Sequence, residues 1–383
     1  MNPVSPLFAS PTPKECFRVT AQDGAARCGV LTTPHGEVST PAFMPVATQA
    51  TVKAMTPREL RVVGVQIVLA NTYHLALRPG VEVVRALGGL HQFMGWSGPI
   101  LTDSGGYQIY SLAPLRKVSD EGVRFRSHID GQEVLFTPEK VINLQSDLGV
   151  DIAMVLDECP PAGAPRTLVE EATRRSLAWA ERSQRVSDPD GPLVFGIVQG
   201  GVFIDIRKWH AQELVALQFP GYAVGGLSVG EERSVTRDVA AATAEELPRD
   251  RPRYLMGVGY PEDLIRFVGM GYDLFDCVLP TRNARNGLLF TSFGRLNIRL
   301  SRFQKDNDPP DPLCACYTCA NFSRGYLRHL SLSKEILAAT LATTHNLYFY
   351  QRLMRDMQTA ITNQSFVSWA AATIPRLEQE YEP

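Results

Sequence analysis

The chain has 383 residues, of which 38 are Lys or Arg and 40 are Asp or Glu, for a formal net charge of −2. That balance excludes a globally basic nucleic-acid coat protein and an acidic tail, so bulk charge names no partner. With 44% apolar and 20% charged residues, the composition is that of an ordinary globular protein rather than a disordered or fibrous one.

The first residues, MNPVSPLFASPTPKE, are proline-rich and hold no apolar run long enough for a secretory signal. No later stretch approaches the roughly 18 uninterrupted apolar residues of a membrane span. The expectation is a cytoplasmic protein with no membrane segment, in which residues 1–14 form an extension of no assigned role. Of the seven cysteines, Cys16, Cys28, Cys159 and Cys277 are scattered, whereas Cys314, Cys316 and Cys319 crowd together. An odd count with one cluster points to a local site rather than a disulfide framework.

In chain order, candidate strands are VSTPAFMPVAT (38–48), QIVLANTY (66–73), PILTDSG (99–105), DIAMVLDE (151–158), LVFGIVQG (193–200), GYAVGGLS (221–228), RYLMGVG (253–259) and DLFDCVLP (273–280). Several are near-continuous apolar runs ending in Gly, Asp or Gln. That is the pattern of strands buried on both faces of a parallel sheet, with polar groups emerging at the carboxyl ends. Helical patterns separate them: Thr137 and Pro138 open PEKVINLQSDLG as cap and first-turn proline, and RTLVEEATRRSLAWAERSQ repeats apolar residues at helical spacing. Eight such units predict an α/β fold of the TIM (β/α)8 barrel class, one catalytic domain over residues 15–383. Two segments interrupt it. Asp130-Gly131 between β-prone flanks predicts a hairpin inserted after the third strand. From about 282 to 350, a basic stretch, a Pro/Asp-rich turn (Asp306 to Pro312), the cysteine cluster and a helical run to His345 predict an inserted subdomain, ahead of closing C-terminal helices.

Cys314, Cys316 and Cys319 with His345 form a closed four-coordinate set for one zinc ion per chain. With all four positions filled by protein no place remains for an activated water, so this zinc is structural.

Catalytic candidates follow from the barrel, whose chemistry gathers at the carboxyl ends of its strands. Asp103, Asp157, Gln199, Gly226 and Asp276 all fall there. Asp103 is followed by Ser104, Gly105 and Gly106, where backbone can approach a ligand, and by Tyr107, which can cover a planar ring. The DSGG string also surrounds the nucleophile of trypsin-like proteases, but the α/β pattern and the missing His and Asp context exclude that reading. Carboxylates that accept from N–H groups, beside an amide or backbone donor, complement the edge of a guanine-like base. Asp276 and Asp103 facing one sugar carbon can run a double displacement, one attacking and the other moving the proton. Between Arg282 and Lys305, Arg285, Arg295, Arg299 and Arg302 occur with no Asp or Glu, a phosphate-binding stripe.

The motifs LTDSGGYQIYSL, DECPP, GIVQGG, GGLSVGE, FDCVLPTRNARNG, CACYTC and HNLYFY together make the chain resemble the bacterial queuine tRNA-ribosyltransferases, or tRNA-guanine transglycosylases, from about residue 15 to 370. The resemblance implies exchange of guanine at the anticodon wobble position of GUN-type tRNAs (Asp, Asn, His, Tyr) for a 7-deazaguanine, in queuosine biosynthesis. It implies Asp276 as the nucleophile forming a covalent tRNA ester, and Asp103 as general acid/base and base ligand. Asp157, Gln199, Gly226 and Leu227 would recognise the base, between Tyr107 and Met256. Gly257, Val258, Gly259, Tyr260, Pro261, Glu262 and Asp263, with Thr281, Arg282, Asn283, Ala284 and Arg285, would contact RNA. Cys159 and Val229 look bacterial, which favours 7-aminomethyl-7-deazaguanine as incoming base, and the family implies a homodimer. Tyr107 stands where phenylalanine is more usual, and Ser228 where alanine is frequent. Two other readings compete: a non-catalytic tRNA-binding accessory subunit, which would be expected to lose Asp103 and Asp276, and a retaining glycoside hydrolase, supported only by the two carboxylates.

Overall fold

The computed structural model describes residues 16–112 and 116–381. An antiparallel sheet of β1 (Phe17–Asp23), β2 (Ala26–Thr33) and β3 (Gly36–Thr40) leads into β4 (Ala42–Ala47), β5 (Val68–Asn71) and β6 (Ile100–Asp103). A second antiparallel sheet follows, of β7 (Arg116–Ser119), β8 (Gly122–Arg126) and β9 (Glu133–Phe136). Next come β10 (Ile152–Met154), β11 (Leu193–Val198), β12 (Gly221–Val224), β13 (Arg253–Leu255) and β14 (Leu274–Cys277), and then the hairpin β15 (Leu288–Thr291) and β16 (Gly294–Asn297). Strands β4, β5, β6 and β10 to β14 close into one parallel barrel in chain order, β14 pairing back onto β4 through Leu274↔Ala42 and Asp276↔Met44. Every position of β5, β11, β12 and β13 is buried, which is why their sequences do not alternate.

All eight expected strands are present, with one redrawn. The run 38–48 is split at Pro41: residues up to Thr40 pair antiparallel in β3, and the barrel strand begins at Ala42. Proline has no N–H for a ladder, so the chain changes partners there. The helix Pro138–Leu148 starts at Thr137, whose Oγ1 accepts from Lys140 N at 3.2 Å, and ends at left-handed Gly149. The expected hairpin is β8–β9, joined by a third strand, β7. Its connection is the longer Ser127–Gln132, with Gly131 at φ 75°, rather than a two-residue turn. This sheet packs Val123, Phe125 and Phe136 on Tyr73, Ile109 and Trp179, beneath the helix that follows Asp103.

After the barrel, short helices Leu279–Arg285, Tyr317–Asn321 and Arg324–Leu332 precede the long helix Ile336–Thr362. That helix runs unbroken through residue 350. Its first half carries His345, and its second half buries Leu353, Met354, Met357 and Ile361 against the barrel core. Between them Asn346 ties the helix to the end of the barrel: its Oδ1 accepts from Phe290 N at 3.0 Å, and its Nδ2 donates to Pro280 O at 2.9 Å.

At the opposite, amino-terminal end of the barrel, fully buried Asp151 accepts from His35 Nδ1 at 2.8 Å, His35 N at 3.1 Å and Ile100 N at 2.8 Å. His91 stacks on His35 with ring centroids 3.6 Å apart, and its Nε2 lies 3.2 Å from Asp151. This contact pins the β2–β3 turn to the barrel floor. The Asp151 hydrogen bond raises the His35 pKa above its ordinary 6.5. A group whose folded pKa is raised stabilises the fold below its unfolded value and loses that contribution as pH rises through the folded value. The melting temperature of the wild type should therefore fall more between pH 6 and 8.5 than that of His35→Gln. Calorimetry across that range checks this, and equal slopes would refute it.

Candidate active site

The carboxyl ends of the barrel strands enclose a cavity of about 410 Å³. Strand β6 delivers Asp103, the residues after β10 deliver Asp157, and Gln199 follows β11. Gly226 and Leu227 follow β12, Met256 and Gly257 follow β13, and Asp276 lies within β14. Ser104, Gly105, Gly106, Tyr107 and Arg282 line the same space. Close approach dictates the glycine at Gly106, where a Cβ would sit 2.6 Å from the Asp157 carbonyl oxygen.

Neutral donors hold these acids. Asp157 Oδ2 accepts from Gln199 Nε2 at 2.6 Å, and its Oδ1 from Ser104 Oγ at 3.3 Å. Asp103 Oδ2 accepts from Asn71 Nδ2 at 2.6 Å and from Gln108 Nε2 at 3.3 Å. Asp276 Oδ1 accepts from Tyr254 Oη at 2.6 Å and from Gly257 N at 2.8 Å, which leaves Oδ2 with no protein donor among the described residues. Asp103 Oδ1 and Gln199 Oε1 are buried without a protein partner among the described residues. Buried acceptors are normally satisfied, so these two call for a ligand that brings N–H donors.

Electrostatics separates the groups by role. Burial, reinforced by nearby Asp276, pushes Asp103 up to about 7. Burial pushes Asp157 up to about 6 against the bonds from Gln199 and Ser104, and also raises Asp276 against those from Tyr254 and Gly257. Cys159 and Cys277 adjoin the same cavity, but burial drives both thiols up to about 12. They stay protonated at neutral pH and are poor nucleophiles.

The two segments expected to meet RNA divide by burial. Gly257, Tyr260, Arg282, Asn283 and Arg285 keep accessible surface, whereas Val258, Gly259, Pro261, Thr281 and Ala284 are buried. Glu262 and Asp263 are buried in ion pairs with Arg233, and Asp263 also pairs with Arg237 at 2.8 Å. The basic residues do not form one stripe, because three elements carry them in different directions. Arg282 lines the cavity, Arg285 and Arg299 line a separate one of about 390 Å³, and Arg295 and Arg302 donate to the Glu378 and Tyr381 carbonyls.

Several groups that hold the site were not among the sequence candidates. Asn71 ends β5 as Asp103 ends β6, and the two are register partners, so the strand-end rule reaches it. Tyr254 lies inside an apolar strand, where no pattern marks it. Glu231 accepts from Ser228 N and from Val229 N at 3.1 Å, and so shapes the loop after β12.

Cys314, Cys316, Cys319 and His345 are buried with their ligand atoms all within 4.8 Å of one another, a group that could hold a metal ion. His345 Nδ1 lies 3.7, 3.6 and 3.2 Å from the three sulfurs, while Nε2 faces the Phe290 carbonyl at 2.8 Å. That outer contact assigns the proton to Nε2 and turns the Nδ1 lone pair toward the thiols.

Carboxyls converging at the carboxyl face of a (β/α)8 barrel, with a separate Cys3His group, place the chain among barrels that carry an acidic pocket at that face. A family model described as queuine tRNA-ribosyltransferase matches residues 22–379. The chain belongs to that family. It is 52% identical over 357 residues to the queuine tRNA-ribosyltransferase of Solidesulfovibrio magneticus, covering 93% of this chain and 96% of the relative. The protein of the same name from Thermoanaerobacter sp. (strain X514) is 56% identical over 348 residues, covering 90% and 93%. That from Thioalkalivibrio sulfidiphilus is 52% identical over 364 residues, covering 95% and 98%.

Cys316→Ser should lower both bound metal and melting temperature. Elemental analysis and calorimetry of the two proteins check this, and unchanged stability on loss of the metal would refute a folding role.

Proposed function

We propose that this cavity exchanges a purine base at the C1′ of a tRNA nucleotide through a covalent Asp276 ester. The chain is a tRNA-guanine transglycosylase, a pentosyltransferase of queuosine biosynthesis. The observation that carries the mechanism is the placement of two unlike carboxyls in one cavity with the base-reading acceptors. Asp276 Oδ2, opposite the doubly bonded Oδ1, attacks C1′. The C1′–N9 bond breaks, and the departing guanine takes a proton from Asp103. The incoming 7-deazaguanine then gives its proton to Asp103 and attacks C1′, releasing Asp276 as a carboxylate. No nucleoside triphosphate is consumed, since one glycosidic bond replaces another. A pKa near 7 suits a group that must both give and take a proton.

Asp157, Asp103 and Gln199 would accept from the N–H edge of the base while backbone N–H groups at Gly226 and Leu227 donate to its carbonyl, with Tyr107 and Met256 at its faces. The incoming base on this reading is 7-aminomethyl-7-deazaguanine, and the targets are the GUN-type tRNAs at the wobble position of the anticodon loop. Arg282, at the cavity mouth, is the cation nearest to meet the phosphates. The Cys3His group would hold one structural zinc: a tetrahedral zinc places S and N about 3.6 Å apart, close to the spacings around His345 Nδ1. Residues 282–350 would form the subdomain around it. A cytoplasmic homodimer completes the reading, a tRNA being larger than one barrel mouth.

Wild-type protein should incorporate radiolabelled guanine into a cognate tRNA, and Asp276→Ala should abolish incorporation. Labelling that survives in Asp276→Ala would refute the nucleophile. The pH profile of kcat/KM for tRNA should be bell-shaped, rising as Asp276 ionises and falling near pH 7 as Asp103 loses its proton. Asp103→Asn should lose the alkaline limb and slow exchange by roughly 10²–10⁴-fold. An unchanged limb would move the acid role elsewhere.

A further inference from the structure

The helix Ile204–Ala216 runs behind the base pocket, and its Arg207 is fully buried. No carboxylate pairs with this guanidinium among the described residues. Its hydrogen bonds go to backbone carbonyls: Nε to Gly201 at 2.6 Å, Nη1 to Val198 at 3.4 Å, and Nη2 to Gly225 at 2.9 Å and Gly226 at 3.3 Å. One cation thus ties together the glycine-rich ends of β11 and β12. Three residues along the same helix, His210 Nδ1 accepts from Gln199 N at 2.9 Å. Burial of an unpaired cation is costly, and methionine would fill the same channel without that cost.

The geometry of the peptide bond gives the arrangement a consequence. A trans peptide points its C=O and N–H to opposite sides. Arg207 lies outside the cavity that Gly225, Gly226 and Leu227 line. With the Gly225 and Gly226 carbonyls drawn back toward Arg207, the N–H groups of Gly226 and Leu227 turn the other way, toward the cavity. A flipped peptide would present a carbonyl there instead and exchange a donor for an acceptor. Gly226 itself has a φ of 66° and would place a Cβ 2.3 Å from Gln199 Oε1, so the turn is tightly packed on the amide it adjoins.

We infer that Arg207 is a positioning residue that sets the sense of the Gly225–Leu227 peptides, so that the pocket offers N–H donors to a ring carbonyl next to the acceptors that read the N–H edge. The inference rests on the cavity being a guanine-type base site. Its effect is selective: it governs recognition of the 6-carbonyl and leaves recognition of the 2-amino group to Asp157.

The test is base competition in labelled guanine exchange on tRNA. Inhibition constants are measured for 2-aminopurine, which lacks the carbonyl, and hypoxanthine, which lacks the 2-amino group, alongside the KM for guanine. In Arg207→Met the preference for guanine over 2-aminopurine should fall about tenfold, the equivalent of one hydrogen bond. The preference over hypoxanthine should stay within about twofold, and kcat within about threefold. Arg207→Lys, which keeps the cation but not the planar fork, should fall between. A folded Arg207→Met with an unchanged 2-aminopurine ratio overturns the inference. Should that variant not fold, the same ratio in Arg207→Lys decides, a fall supporting the role and an unchanged value overturning it. Wild-type protein that does not prefer guanine over 2-aminopurine would overturn the base-site reading, and the role of Arg207 with it.

Discussion

Two carboxyls, Asp103 and Asp276, lie half-buried in one cavity with no ion-pair partner among the described residues, held by amides, a phenol and a backbone N–H. Neutral donors orient a carboxylate without neutralising it, so both acids keep raised pKa values. Asp273, three residues earlier in the chain, has a different partner, although burial raises its pKa as well. There the Arg27 guanidinium forks onto both carboxylate oxygens, at 3.0 and 2.6 Å, and the group is spent on holding the fold.

The rest of the structure serves that placement. Parallel closure brings strand ends that are far apart in sequence to one mouth, while the opposite end is tied by Asp151, His35 and His91. The long helix Ile336–Thr362 couples the Cys3His group to the barrel, since adjacent residues, His345 and Asn346, bond the Pro280 carbonyl just after the last barrel strand and both backbone groups of Phe290 within the hairpin. Most of the barrel thus positions groups rather than reacting.

Much of this was legible in the residues. Eight apolar runs ending in polar or glycine residues specify a parallel barrel, because a strand buried on both faces has nowhere else to put its polar groups. The same rule identified Asp103, Asp157, Gln199 and Asp276, which the structure brings to one cavity, and the cysteine spacing identified the Cys3His group. What the sequence hid is interaction at a distance. Tyr254 reads as core, and its hydroxyl matters only because β14 lies alongside β13. Arg207 reads as a charged position on a surface helix, yet it is fully buried. The break at Pro41 was visible but bridged by the apolar residues on either side. The basic run from Arg282 to Lys305 is contiguous only in sequence, because a helix, a hairpin and a 3-10 turn scatter its side chains.

The central claim is that the Asp276 carboxylate becomes bonded to a nucleotide's sugar. Mixing the protein with cognate tRNA, quenching under denaturing conditions and resolving the products on a gel tests it directly. The account expects a slow-migrating protein–tRNA adduct whose attachment maps to Asp276 by mass spectrometry and which disappears when free base is added before the quench. No adduct from a protein that exchanges base, or attachment at another residue, would contradict it.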